Sequence, residues 1–203
     1  MTPANAGRKY PAEVLTAEEV DDLLGAITGR GPLAVRNRAL VAVLWGSGLR
    51  ISEALDLHPR DVVTGGLRVR HGKGDKARIV GLHPRASVLL SAWLEKRATL
   101  GLNGRQPVFC SVASGSKGRA IDPSYVRRLL PKLALKAGID KRVHAHGLRH
   151  THASDLVAQR VALHLITGQL GHSSTATTDT YLAKVAPAER LAALHAAWGS
   201  EEG

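Results

Sequence analysis

Residues 33–45, LAVRNRALVAVLW, constrain the fold of this chain more than any other stretch. Apolar side chains fall on nearly every side of a helix drawn through them, and such a helix has to be wrapped by others rather than laid on a surface. The rest of the chain supplies the wrapping. Thr16-Ala17-Glu18-Glu19 is a capping box that opens an amphipathic helix through Val20, Leu23, Leu24 and Ile27, ending near Gly29. Gly46 to Arg50 reads as a turn, and Ile51–Leu57 as a short helix. Leu67–Arg70 and Ala77–Val80 alternate around a Gly-Lys-Gly turn, which predicts a hairpin. His83-Pro84 starts a helix to about Leu100, and Asp122-Pro123 another to about Ala137, with Pro in the first turn. Between them, residues 101–121 form a Gly/Ser-rich loop around a short apolar strand at 107–110. Helices are expected again over Gly147–Gln159 and Val161–Leu170, with Gly171 as the stop. Ser173 and Ser174 cap a short helix carrying Tyr181, and Pro187 begins an amphipathic tail with Leu191, Leu194 and Trp198 on one face. The expected fold class is α+β, mostly helical, with a small antiparallel sheet near residues 67–82.

Charge narrows the partner. The net charge is +11, and it is not spread evenly. Residues 60–85 carry seven Lys and Arg against two Asp, and residues 119–149 carry eight against two. Those two excesses account for the whole net charge, which points to a polyanion and most simply to nucleic acid. Aromatics make up only 3%, too few for stacking successive single-stranded bases. One cysteine, Cys110, excludes an internal disulfide and fits a reducing cytoplasm. The sequence shows no secretory signal and no apolar run near eighteen residues, so a cytoplasmic, DNA-associated protein with no membrane contact is expected.

The chemistry concentrates in residues 146–181, HGLRHTHASDLVAQRVALHLITGQLGHSSTATTDTY. Arginine grips phosphate oxygens with a fork, imidazole moves protons near neutral pH, and a tyrosine hydroxyl can become a covalent nucleophile. Arg50 adds to this: a cation at a helix start opposes the helix dipole and makes sense where an anion sits beside it. Each residue has an ordinary reading as well, as solvated face, cap or core filler. His146 and His150 lie one helical turn apart, the spacing of a zinc pair. No His-Glu-x-x-His arrangement, second cysteine or evident carboxylate completes such a site, so no metal and no cofactor is expected. The lysine loop at 72–76 is not a phosphate-cradling P-loop, because the Gly-x4-Gly-Lys-Ser/Thr spacing is missing.

Five motifs in order resemble the catalytic domain of the tyrosine recombinases, the phage integrases and their relatives. They are Gly48-Leu49-Arg50-Ile51-Ser52-Glu53, Gly72-Lys73-Gly74, His146-Gly147-Leu148-Arg149-His150, Leu170-Gly171-His172, and Tyr181 nine residues further on. The resemblance spans roughly residues 14–198. It implies that fold, and roles for particular residues. Tyr181 would attack the scissile phosphate and form a 3′-phosphotyrosine. Arg50 and Arg149 would hold the non-bridging oxygens, and Lys73 would protonate the leaving 5′-oxygen. His146 would assist proton transfer at the tyrosine, His172 would hydrogen-bond the phosphate, and Glu53 and His150 would support the others.

Arg68, Arg70, Lys76 and Arg78 of the hairpin, with Arg127, Arg128, Lys132 and Lys136 of one helix, are expected to meet DNA phosphates. The resemblance further implies double-stranded DNA as substrate, a homotetramer on two duplexes, and strand exchange without ATP or magnesium. Residues 1–15 read as a flexible arm, 16–185 as the catalytic domain, and 186–203 as a tail suited to docking on a neighbouring protomer. Family members usually carry a helical DNA-clamping domain first, and only about fifteen residues precede the match here. Weak DNA binding with a reduced salt slope is therefore expected. Two other readings share the motifs: a type IB topoisomerase, and a DNA-binding regulator that keeps the fold without the reaction. The Leu-Gly-His motif counts against the first, and the full set of six reactive side chains against the second.

Overall fold

A computed structural model describes residues 13–70 and 77–171. Helix α1 (Ala17–Gly25) starts at the expected capping box: Thr16 accepts from the Glu19 amide and Glu19 accepts from the Thr16 amide. Helix α2 (Pro32–Ser47) is the wrapped helix, buried at every residue from Ala39 to Ser47. It ends at Gly48 in the left-handed conformation, φ 64°, and the short helix α3 (Ile51–Leu55) follows. Strands β1 (Val62–Val63), β2 (Gly66–Val69) and β3 (Arg78–Gly81) make one antiparallel sheet in that order, with Leu67 opposite Val80. Helix α4 (Pro84–Thr99) packs along α2, and α5 (Pro123–Lys136), α6 (Ala145–Ala158) and α7 (Leu163–Leu170) complete the described part.

The mostly helical α+β expectation holds, with differences of detail. The sheet has a third strand, β1, whose two residues are too short to show alternation. Helix α6 starts at Ala145, two residues early, because His144 caps it: the His144 Nδ1 accepts the Gly147 N–H at 3.0 Å. A Cβ on Gly147 would lie 2.6 Å from that nitrogen, so the cap itself demands glycine there. Helix α7 begins at Leu163 rather than Val161. The expected short strand near 107–110 is a single bridge, Cys110 with Ala120. Residues 13–15 of the expected flexible arm are described and packed onto the domain: Leu15 is buried and donates its N–H to the Thr151 hydroxyl at 3.1 Å, Lys141 donates to the Val14 carbonyl, and the Arg142 N–H donates to Glu13. The rest of the arm, the lysine loop, the Tyr181 helix and the tail lie outside the described residues.

Buried polar groups hold the loops to the helices. Trp93 donates its indole N–H to the Val108 carbonyl at 2.8 Å, and the buried Arg97 reaches the carbonyls of Leu102, Gln106 and Pro107. Arg36, also buried, donates to the Cys110 carbonyl and to Asn37, whose amide meets the Tyr125 hydroxyl. Such buried donors would be costly unpaired; the ones named here tie a loop or a neighbouring helix to the core, while the Arg97 Nε has no partner among the described residues. Among the described residues no helix is long and apolar enough to cross a membrane.

The α2–α4 contact is close at Gly46, where an added Cβ would stand 2.6 Å from the Ala86 Cβ and 3.0 Å from the His83 Cβ. Neither neighbour is the far end of a flexible chain, so neither can swing away. Gly46→Ala is expected to lower the unfolding free energy by about 1–3 kcal/mol through overpacking, despite the better helix propensity of alanine. Urea unfolding of the two proteins checks this; equal midpoints would mean that the helices move apart freely.

Candidate active site

Arg50, His146 and Arg149 meet in one cleft although about a hundred residues separate the first from the others. The cleft has a volume of ≈ 260 Å³, and its wall includes Leu49, Arg50, Ser52, Arg127, His146 and Arg149. Arg50 stands at the N-cap of α3 in extended backbone, with its side chain 35% exposed. Arg149 sits one turn into α6 and is only 1% exposed. Its Nη1 donates to the Gly48 carbonyl at 2.7 Å and its Nη2 to the Leu170 carbonyl. That fork links the first, third and fourth motifs of the sequence.

Glu53 is 8% exposed and grips Arg50 twice, accepting from its Nη1 and from its backbone N–H, each at 2.9 Å. Burial works against ionisation of Glu53. Hydrogen bonds from Arg78 and the Arg50 amide, with the charges of both arginines, outweigh it and hold the carboxyl below the usual carboxylate range. His146 opens on the cleft, and its ring meets the His150 ring edge-on at 4.4 Å. Partial burial, then the charges of Arg149, His144 and Arg50, hold its imidazole below the ordinary value. A neutral ring at neutral pH can accept a proton, which suits a base. Among the described residues no group of three His, Cys, Asp or Glu side chains could hold a metal ion.

The basic residues expected on the DNA side divide into two sets. Arg68, Arg127, Arg128 and Lys132 are exposed, and Arg127 reaches the cleft wall itself. Three others turn onto the protein. Arg70 pairs with Asp61 at 3.1 Å and lies 2.7 Å from the His58 Nδ1. Lys136 donates to the Ala26 carbonyl and the Thr28 hydroxyl, tying α5 to the loop after α1. Arg78 forks onto Glu53. In each case an acceptor that the folded chain supplies at hydrogen-bonding distance captures the cation. Lys73, Lys76, His172 and Tyr181 lie outside the described residues.

Two supports carried no signal in the sequence reading. Gln169 accepts the Gly81 N–H at 2.8 Å, and its Nε2 lies 2.8 Å from the Gly81 carbonyl, 3.1 Å from that of Ser47 and 3.2 Å from the His152 Nε2. The amide nitrogen has two hydrogens for these three acceptors, so the imidazole nitrogen facing it can at most share one of them, and only as a neutral ring. His152 is 8% exposed and packs where a Cβ on Gly48 would come within 2.8 Å of its ring. Burial, then the charges of His83 and Arg149, lower its pKa to about 4. A Gln and a third His spaced along amphipathic helices look like surface and core, which is why neither stood out.

Residues 13–186 match the model of the phage integrase family. The tyrosine recombinase XerC of Xanthomonas axonopodis pv. citri (strain 306) is 38% identical over 177 residues, which cover 87% of this chain and 55% of that protein. The chain thus spans about half the length of such curated relatives. Among solved structures, the XerA recombinase superposes with a TM-score of 0.76 at 30% identity, over 96% of this chain and 68% of that one. The pre-cleavage complex of the XerH site-specific recombinase with its difH substrate gives 0.70 at 31% identity, over 86% and 50%.

The neutral state of His152 makes stability depend on pH. Its pKa is about 4 when folded, against 6.5 as the ordinary value, so the unfolded chain takes up the proton first as pH falls. The stabilisation is complete above pH 6.5 and is lost between there and pH 4, on the order of 3 kcal/mol in all. Urea unfolding at pH 7.5 and pH 4 should therefore show a larger loss for the native protein than for His152→Asn. The same loss in both would remove His152 as the cause.

Proposed function

The chain belongs to the phage integrase family, and on that premise we propose that it is a site-specific DNA recombinase working through a 3′-phosphotyrosine intermediate. The observation that carries this reading is the meeting of Arg50, His146 and Arg149 in a single cleft. Two guanidiniums there suit the two non-bridging oxygens of one phosphodiester, and their charge offsets the charge that builds up on those oxygens in the transition state.

The steps then follow from the residue types. The Tyr181 oxygen attacks the phosphorus while His146, kept neutral by partial burial and its cationic neighbours, takes the phenolic proton. The bond from phosphorus to the 5′-oxygen breaks, and Lys73 gives that oxygen a proton. His172 donates a hydrogen bond to the phosphate. A 5′-hydroxyl from a second strand reverses the sequence and displaces the tyrosine, so the number of phosphodiester bonds is unchanged and no ATP is consumed. Positive charge comes from side chains, and the scheme calls for no metal.

Double-stranded DNA is the substrate in this reading. In this reading the exposed cations Arg68, Arg127, Arg128 and Lys132 meet its backbone. Strand exchange between two duplexes calls for four active sites, hence a homotetramer, with residues 186–203 as the segment that docks between protomers. A cytoplasmic, DNA-associated location fits this chemistry.

Covalent trapping tests the proposal. The protein is mixed with nicked duplexes of random and difH sequence that lose a short fragment on cleavage, with EDTA present, and run on a denaturing gel. A DNA–protein adduct should form, disappear in Tyr181→Phe, and fall by roughly a hundredfold or more in rate in Arg149→Ala. An adduct that survives loss of the Tyr181 hydroxyl, or that forms only with a divalent metal, would sink the mechanism.

A further inference from the structure

Arg78 lies outside every motif described above, at the first position of β3. Its guanidinium forks onto Glu53, Nη1 to Oε1 and Nη2 to Oε2, each at 3.0 Å. Those same two oxygens accept the Arg50 side chain and the Arg50 backbone N–H. One buried carboxylate therefore accepts four hydrogen bonds from two arginines. The guanidinium also lies against Gly171, where an added Cβ would come within 2.6 Å of the Arg78 Cζ and 2.7 Å of its Nε. Gly171 is held in the left-handed region, φ 62°, directly before His172 in the chain.

The count of charges says what this contact does. Arg50 with Glu53 alone is a neutral pair, and a neutral pair attracts a phosphate only as a dipole. Arg78 brings a second positive charge, so the three side chains together carry one net positive charge. The Arg78 side chain is 15% exposed against 35% for Arg50, so the surplus is presented to the cleft by Arg50. Shape matters beside charge: the planar fork spans both oxygens of Glu53 and fixes the plane of that carboxylate, and a lysine ammonium cannot.

We infer that Arg78 is a positioning residue for Arg50. It takes up the negative charge of Glu53, locks that carboxylate against the Arg50 cap, and braces the turn at Gly171. It acts through Glu53 and touches no reacting atom. The inference rests on the proposed function only for the identity of the anion, the scissile phosphate; the effect on Arg50 holds for any anion in the cleft.

Two readouts on the 203-residue chain separate these levels. The first is affinity for inorganic phosphate at constant ionic strength, counted as the part abolished by Arg50→Ala. The second is the rate of adduct formation at saturating nicked duplex, with the duplex dissociation constant measured beside it. Arg78→Gln should weaken phosphate binding and slow adduct formation by roughly 10–100-fold, the range known for residues that orient metal-binding side chains. Duplex affinity should change little, since most of it comes from other phosphate contacts.

The double variant Glu53→Gln/Arg78→Gln should bind phosphate better than Arg78→Gln, because no carboxylate is left to neutralise Arg50. Arg78→Lys should fall between the native protein and Arg78→Gln, and it carries the comparison should Arg78→Gln fail to fold. Native phosphate affinity in Arg78→Gln, a double variant no better than the single one, or a lysine variant as weak as glutamine would each overturn the inference. If the unaltered chain forms no adduct at all, the recombinase reading fails, while the phosphate affinities still decide the role of Arg78.

Discussion

A buried guanidinium joins the C-terminal ends of two helices. Arg149 donates to the carbonyl of Gly48, the cap of α2, and to that of Leu170, the last residue of α7. Helix C-termini leave carbonyls without intrahelical partners and carry partial negative charge, so one arginine satisfies both and sits where a cation is favoured. The arrangement depends on how the helices stop. Both end on a glycine in the left-handed region, and at Gly48 the His152 ring leaves no room for a Cβ. Conformational freedom and close approach select glycine there together. At Gly171 it is the Arg78 guanidinium that comes within 2.6 Å of an added Cβ, so the glycines of the first and fourth motifs free the helix ends that the arginine of the third joins.

The cations of the cleft sit beside groups that moderate them. Arg50 occupies a helix start, where the dipole opposes it, and Glu53 three residues on answers both its charge and its free amide. The imidazoles respond in the opposite way. His144, His146 and His152 all lie near arginines, and burial with those charges pulls each below its ordinary value. Fixed positive charge is carried by guanidiniums, which do not titrate in the working range, while the histidines stay neutral and available as acceptors. The two residue types have separate tasks because they share one neighbourhood.

Much of this was readable before any coordinates, for reasons that differ by element. The wrapped helix α2 and the capping box at Thr16 are local patterns, and the structure has both where they were expected. The cleft was readable only through the spacing and order of motifs, because nothing local says that Arg50 and Arg149 adjoin. Sequence reasoning could not see partners that lie far along the chain. Arg70, Arg78 and Lys136 read as free cations, and each is engaged by a carbonyl or carboxylate that the fold brings up, Lys136 while still exposed. Strand β1 failed for a different reason, being too short to carry a period.

Gln169 completes the logic that Arg149 begins. A single link between α7 and the rest of the domain would leave that helix free to pivot. Arg149 holds its last carbonyl, and Gln169, one residue earlier, holds the backbone of Gly81 at the end of β3 and faces the Ser47 carbonyl at the end of α2. The two links run from α7 in different directions, one to Arg149 of α6 and one through Gln169 to the sheet, so together they fix its rotation as well as its position. β3 belongs to the hairpin that carries the lysine loop, and α7 leads into the segment that carries His172 and Tyr181. The end of β3 and the end of α7, as far as Gly171, are therefore held against α2 and α6 by these side chains.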